Sequence, residues 1–202
     1  MPDQEGYIKF NCIRQDTEFD FPEDKFKKIT IWRNRLYNSH LIGSYPDGIG
    51  FGNISIRMSL NNFIITGSAT GNKPELNRDD FVLVTHYNLI KNEVRCSGRI
   101  PASSESMSHA AVYDSISGIN AVIHVHHLKL WKKLKERVPV TRPDVQYGTT
   151  EMALEIKDLF SRTNVSQLKI FVMGGHREGI VTFGDSLDDA GDILYRHFRQ
   201  IQ

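Results

Sequence analysis

The stretch Ala121-Val122-Ile123-His124-Val125-His126-His127 constrains this chain more than any other. The apolar run from Ala121 to Ile123 reads as a buried strand. Residues two apart in a strand point to the same face, so His124 and His126 present two imidazoles side by side. That separation is about what one metal ion needs. A third ligand, with water in the open position, would complete a catalytic zinc-type site. Two satisfied surface histidines are the plainer alternative, and the rest of the chain has to decide between them.

The 202 residues fit one domain with ample material for a core. Hydrophobic residues at 40% and charged residues at 24% are ordinary globular proportions, and a net charge of +1 argues against a general nucleic-acid or membrane-surface binder. Cys12 and Cys96 are far apart in sequence and suit no zinc-finger spacing, so they read as free thiols of a reducing compartment. There is no apolar run of bilayer length and no signal-peptide pattern, so a cytoplasmic protein is expected.

Residues 1–22 read as an N-terminal extension with a short edge strand over 7–13, and residues 23–202 as one mixed α/β domain without repeat or linker. Phe26, Ile29, Trp32 and Leu36 recur at helical spacing, which predicts a helix over 26–41. A turn-rich loop follows over 43–50. Strands are predicted over 54–58, 63–66, 81–86, 169–173 and 180–183. Helices are predicted over 105–115 with Ser104 as cap, over 128–137, over 151–160, and from 185–186 to the end. Trp32 and Trp131 read as core or interface aromatics. The basic run from Lys129 to Arg137 reads as a solvated helix face.

Four further segments carry chemistry. Gly52 lets the backbone approach a ligand closely before a strand, and Asn53 and Ser55 add side-chain donors; a simple turn is the alternative. Thr66-Gly67-Ser68-Ala69-Thr70-Gly71 exposes consecutive backbone N–H groups at a strand end, an anion-binding concavity with hydroxyls from Thr66, Ser68 and Thr70. Ser103 and Ser104 precede a helix whose free N–H groups favour an anion. Glu105, on its first turn, is either a capping carboxylate or a general acid/base. His109, one turn on, reads as a packed structural histidine. Finally, Gly174-Gly175-His176-Arg177-Glu178-Gly179 is a glycine-rich loop able to carry His176 toward a site. His127 points opposite to His126 and leaves it.

Taken in order, these segments resemble the class II aldolase/adducin family. The resemblance rests on Gly52 to Ser55, Ile65 to Ser68, Leu76 to Val84, Ser103 to Glu105 with His109, His124 to His126, Tyr147 to Ala153, and Gly179 to Gly184, and it covers roughly residues 26–202. It implies a three-layer α/β/α fold around a mostly antiparallel sheet. It implies one divalent metal, usually Zn2+, on three histidines, and Glu105 as the proton-moving acid/base. It also implies a phosphorylated substrate held by Asn53, Ser55, Thr66, Ser68, Ser103 and Ser104, and often a homotetramer with sites at subunit contacts. The chemistry implied is retro-aldol cleavage, epimerisation or dehydration of ketose phosphates through a metal-stabilised enediolate. A non-catalytic adducin-like module and a metal lyase or decarboxylase for a non-phosphorylated compound are the alternatives. In the family the third histidine stands directly before the glycine matched to Gly179, where this chain has Glu178. An insertion of Arg177 and Glu178 would put His176 in the ligand position instead, with Glu178 as the alternative ligand, since two histidines and a carboxylate also hold zinc.

Overall fold

Alternation along residues 121–126 sets the architecture. Ala121, Ile123 and Val125 join one buried apolar cluster and Val122 joins another, so this strand is covered on both faces. The computed structural model describes residues 7–201, and the expectations for residues 1–6 lie outside them. In chain order the first elements are β1 (Asn11–Gln15), α1 (Glu23–Asn38), β2 (Gly43–Ser44), β3 (Gly50–Phe51), β4 (Asn53–Ser59), β5 (Asn62–Thr66), β6 (Phe81–Asn88) and β7 (Glu93–Ser97). They continue with α2 (Ser106–Ser115), β8 (Ala121–His126), α3 (Leu128–Leu134), α4 (Thr150–Arg162), α5 (Val165–Leu168), β9 (Ile170–Val172), β10 (Gly179–Gly184) and α6 (Leu187–Phe198).

Among the described residues eight strands form one sheet in the order β1-β7-β6-β5-β4-β8-β10-β9, with β8 inside it. Every strand pair is antiparallel except β1 with β7. One face buries Met107, Ala110 and Ala111 of α2 together with Met152, Ala153 and Ile156 of α4. The other buries Ile29, Trp32 and Leu36 of α1, Leu130 and Leu134 of α3, and Leu187, Leu194 and Phe198 of α6. The result is the expected three-layer α/β/α arrangement, since a sheet apolar on both faces needs helices on both.

Several local expectations are corrected. Strand β7 was not foreseen, although Val94 and Cys96 are buried while Arg95 is exposed. The loop over 43–50 closes as the β2–β3 hairpin. Ser104 does not cap α2. Glu105 occupies the cap position, the Ser106 amide donates to the Ser103 carbonyl at 3.0 Å, and the Glu105 amide donates to Ser103 Oγ at 3.3 Å. Helix α3 stops at Leu134, where the amides of Arg137 and Val138 turn back onto the Leu134 carbonyl ahead of Pro139. Cys12 and Cys96 are free but adjacent, with their sulfurs 3.8 Å apart across the β1–β7 edge. No helix among the described residues is long and apolar enough to cross a membrane.

Candidate metal centre

Period two along β8 aims His124 and His126 at the face that α2 covers, beyond Val122. The third imidazole arrives from the β9–β10 turn. Gly174 and Gly175 let this turn pass close under the segment before α4, where a Cβ on Gly175 would lie 1.9 Å from the Val145 carbonyl oxygen. His176 then swings inward and is 1% exposed. Gly179 is paired opposite His126, and a Cβ there would sit 3.2 Å from His124 Nε2 and from the His176 ring, so only glycine leaves the rings this room.

The three histidines each offer a ring nitrogen, and these nitrogens lie within 4.8 Å of one another. That spacing suits one tetrahedral ion with an open position. Neither ring nitrogen of His124 has a hydrogen-bond partner among the described residues, although the side chain is buried. A buried imidazole without partners is costly unless something else satisfies it, and a cation bound by its lone pair does so. Burial, followed by the neighbouring imidazoles, pushes His124 and His126 well below the usual histidine range and keeps them neutral, the form that binds metal. Zinc, or another divalent ion that accepts imidazole, fits this donor set.

Other groups hold the rings in place. Tyr147 stacks on His176 with ring centroids 4.1 Å apart, and Lys9 sits over Tyr147 at 3.8 Å from its ring centroid. Phe51 stacks on His126 at 5.4 Å. The Tyr45 hydroxyl is 2.8 Å from His126 Nδ1. Glu178 is not among the clustered ligands; it adopts a left-handed φ of 75°, and its carboxylate accepts from Tyr45 at 3.3 Å. Glu105 is 2% exposed, and its Oε1 lies 3.7 Å from His176 Nδ1.

A recess opens beside His124 and Glu105. Asn53, Ser68, Ser103 and Ser104 line it with the glycines at 50, 52, 67 and 71. Asn53 is paired directly opposite His124, and its side-chain carbonyl oxygen is buried without a partner among the described residues, ready for a hydroxyl donor. Ser55 and Thr66, expected here, are elsewhere. Ser55 lies two residues further along β4, about 7 Å deeper, and its hydroxyl bonds His109 Nδ1 at 2.7 Å and the Tyr113 hydroxyl at 2.8 Å. Thr66 Oγ1 accepts from the Ile54 amide at 3.3 Å. His109 has the structural surroundings expected of it. His127 leaves the site and caps α3, its Nδ1 accepting from the Leu130 amide at 3.1 Å. A larger concavity of about 880 Å³, beside Arg57, Asp114 and Asn120, lies at the opposite end of β4 and β8 and holds no histidine.

Nothing in the local sequence assigns Tyr45 or Tyr147 to the site. Tyr45 precedes an ordinary Pro-Asp-Gly turn, and only closure of the β2–β3 hairpin brings it to His126.

Residues 46–197 match the family model described as the class II aldolase and adducin N-terminal domain. No curated protein sequence matches the chain. Among solved structures, L-fuculose-1-phosphate aldolase from Thermus thermophilus superposes with a TM-score of 0.58 at 21% identity, covering 87% of this chain and 95% of that one. A second L-fuculose 1-phosphate aldolase gives a TM-score of 0.67 at 20% identity, covering 90% and 84%. At these identities the likeness carries the fold.

Proposed function

This chain belongs to the class II aldolase and adducin family, and from that membership we propose that it is a metal-dependent lyase. Its substrate would be a small sugar phosphate or related hydroxy-carbonyl compound, cleaved or dehydrated beside the carbonyl. The observation that carries this is the meeting of three buried imidazoles with a buried carboxylate at the mouth of a polar recess. A domain that served only as an interaction module would have no use for a buried acid beside such a donor set.

His124, His126 and His176 would hold the ion, Zn2+ or another divalent metal. When bound, such an ion supplies Lewis-acid polarisation of a substrate oxygen. Glu105 would take or return the proton at the carbon or hydroxyl next to the carbonyl, within reach of the ligand set. Ser68, Ser103 and Ser104 would hold the phosphate, aided by backbone N–H groups at the start of α2; the Gly67 and Ser68 amides, expected to face an anion, instead donate to the Asp80 and Pro101 carbonyls at 2.8 and 2.9 Å. Asn53 would accept from a substrate hydroxyl. Anchoring the phosphate fixes the reacting carbon against Glu105, which converts binding into orientation. Ser55 and Thr66 support the walls from behind. A homotetramer with sites at subunit contacts is the assembly we propose from the family resemblance.

The test is a screen of phosphorylated ketoses and their dephosphorylated counterparts on metal-loaded protein, with products followed by mass spectrometry. Turnover confined to phosphorylated compounds is expected. Equal turnover of both would favour a lyase for non-phosphorylated compounds. No turnover in a protein that holds no metal would favour the interaction module.

A further inference from the structure

Glu178 takes a left-handed backbone conformation that residues with side chains rarely adopt, and the His127 amide pins its carbonyl at 3.1 Å. Its carboxylate does not reach the histidine cluster but meets the Tyr45 hydroxyl, which in turn meets His126 Nδ1. Proton counting gives this chain a direction. A carboxylate only accepts, so the single phenolic proton of Tyr45 goes to Glu178. The Tyr45 oxygen is then the acceptor toward His126, whose Nδ1 must carry the ring proton. That tautomer leaves Nε2 as the lone pair, the nitrogen that remains for an ion shared with His124 and His176.

We infer that Tyr45 and Glu178 form a carboxylate–phenol–imidazole relay that fixes the tautomer and ring angle of His126 for metal binding. The inference rests on the proposed metal centre and adds two positioning residues to it. Metal-ligating histidines commonly give their second N–H to a carboxylate or carbonyl, and loss of such a partner weakens metal binding about 10–100-fold. Here a phenol is interposed, because Glu178 lies at the turn and the hairpin carrying Tyr45 bridges the gap. Phe51, packed against Tyr45 with ring centroids 4.8 Å apart and stacked on His126, holds the phenol in line. This accounts for an acidic residue at a position where the backbone favours glycine.

The experiment measures zinc dissociation constants by chelator competition for wild type, Y45F, E178A, E178Q and H126A, with Co(II) absorption spectra and the melting temperature of each metal-free protein. Y45F keeps the ring against Phe51 and loses only the hydroxyl. It is expected to bind zinc about 10–100-fold more weakly, with an altered Co(II) spectrum and an unchanged metal-free melting temperature. E178A should weaken binding in the same direction, and E178Q, which keeps an acceptor oxygen, should recover most of the loss. Wild-type affinity and spectrum in Y45F would overturn the relay while leaving the metal centre intact. So would a fall in melting temperature that accounts for the lost affinity. E178Q as damaging as H126A would make Glu178 a ligand and also overturn the relay. If wild type holds no more zinc than H126A, the metal centre fails and the relay fails with it.

Discussion

His109 and His124 are both buried on the side of the sheet that faces α2, yet their ring nitrogens meet different surroundings. His109 is tied through Nδ1 to Ser55, which also bonds Tyr113, so this imidazole belongs to a hydroxyl network that fills the layer between sheet and helix. Among the described residues neither ring nitrogen of His124 has a partner, whereas His109 lacks one at Nε2 alone, and His124 converges with two other imidazoles. Burial depresses both, His109 to about 3 and His124 well below its ordinary value. Burial and a shifted pKa therefore do not by themselves mark the candidate metal end of the sheet. The convergence of three ring nitrogens within 4.8 Å of one another does. Glycine at 179 keeps that space open, whereas the space around His109 is closed by Ser55 and Tyr113.

The largest expected effect treats the two regions alike. His109, His124 and His126 have folded pKa values below the unfolded value of about 6.5. Between those values the unfolded chain binds more protons, so the histidine contribution is full above about pH 6.5 and is lost as pH falls. Each histidine contributes a slope of up to about 1.4 kcal/mol per pH unit. Urea unfolding of chelator-treated protein from pH 7.5 to 4.5 should show this decline, and a flat profile would break the account of both regions. The next effect separates them. Glu105→Gln should keep the metal and the fold but lose about a hundredfold or more in turnover, the scale of a lost acid/base. Full activity in that variant would move proton transfer elsewhere.

Smaller effects sharpen the contrast. Ser55→Ala strands His109 and Tyr113 and should cost about 1–3 kcal/mol of stability, read as a lower denaturant midpoint, with metal content unchanged. Ser104→Ala, at the recess, should do the reverse. Stability should hold, while a phosphorylated ligand loses about 0.5–3 kcal/mol by calorimetric titration and its dephosphorylated counterpart is little affected.

The β8 histidine pair was legible because period-two alternation is local, whereas the three layers followed only from the family resemblance, the residues by themselves giving one mixed α/β domain. His176 was legible through its glycines and the family resemblance. Ser55 was misplaced because Asn53 and Ser55 share a face, and alternation does not tell which of two same-face residues lies at the open strand end. Ser104 was misread as a cap because Ser, Ser and Glu in a row are all acceptable there, and only the turn at Ser103 decides. The Cys12–Cys96 contact and the Tyr45–His126 bond join residues 84 and 81 apart in sequence, and no local pattern encodes them.

We propose that the clustered imidazoles, and not His109, hold an ion. Metal content per chain, measured side by side on wild type, His124→Ala and His109→Gln purified without chelator, tests it most directly. Wild type and His109→Gln should each carry about one divalent ion per chain, and folded His124→Ala should carry none. Stoichiometric metal in His124→Ala, or its loss in a folded His109→Gln, would contradict the account.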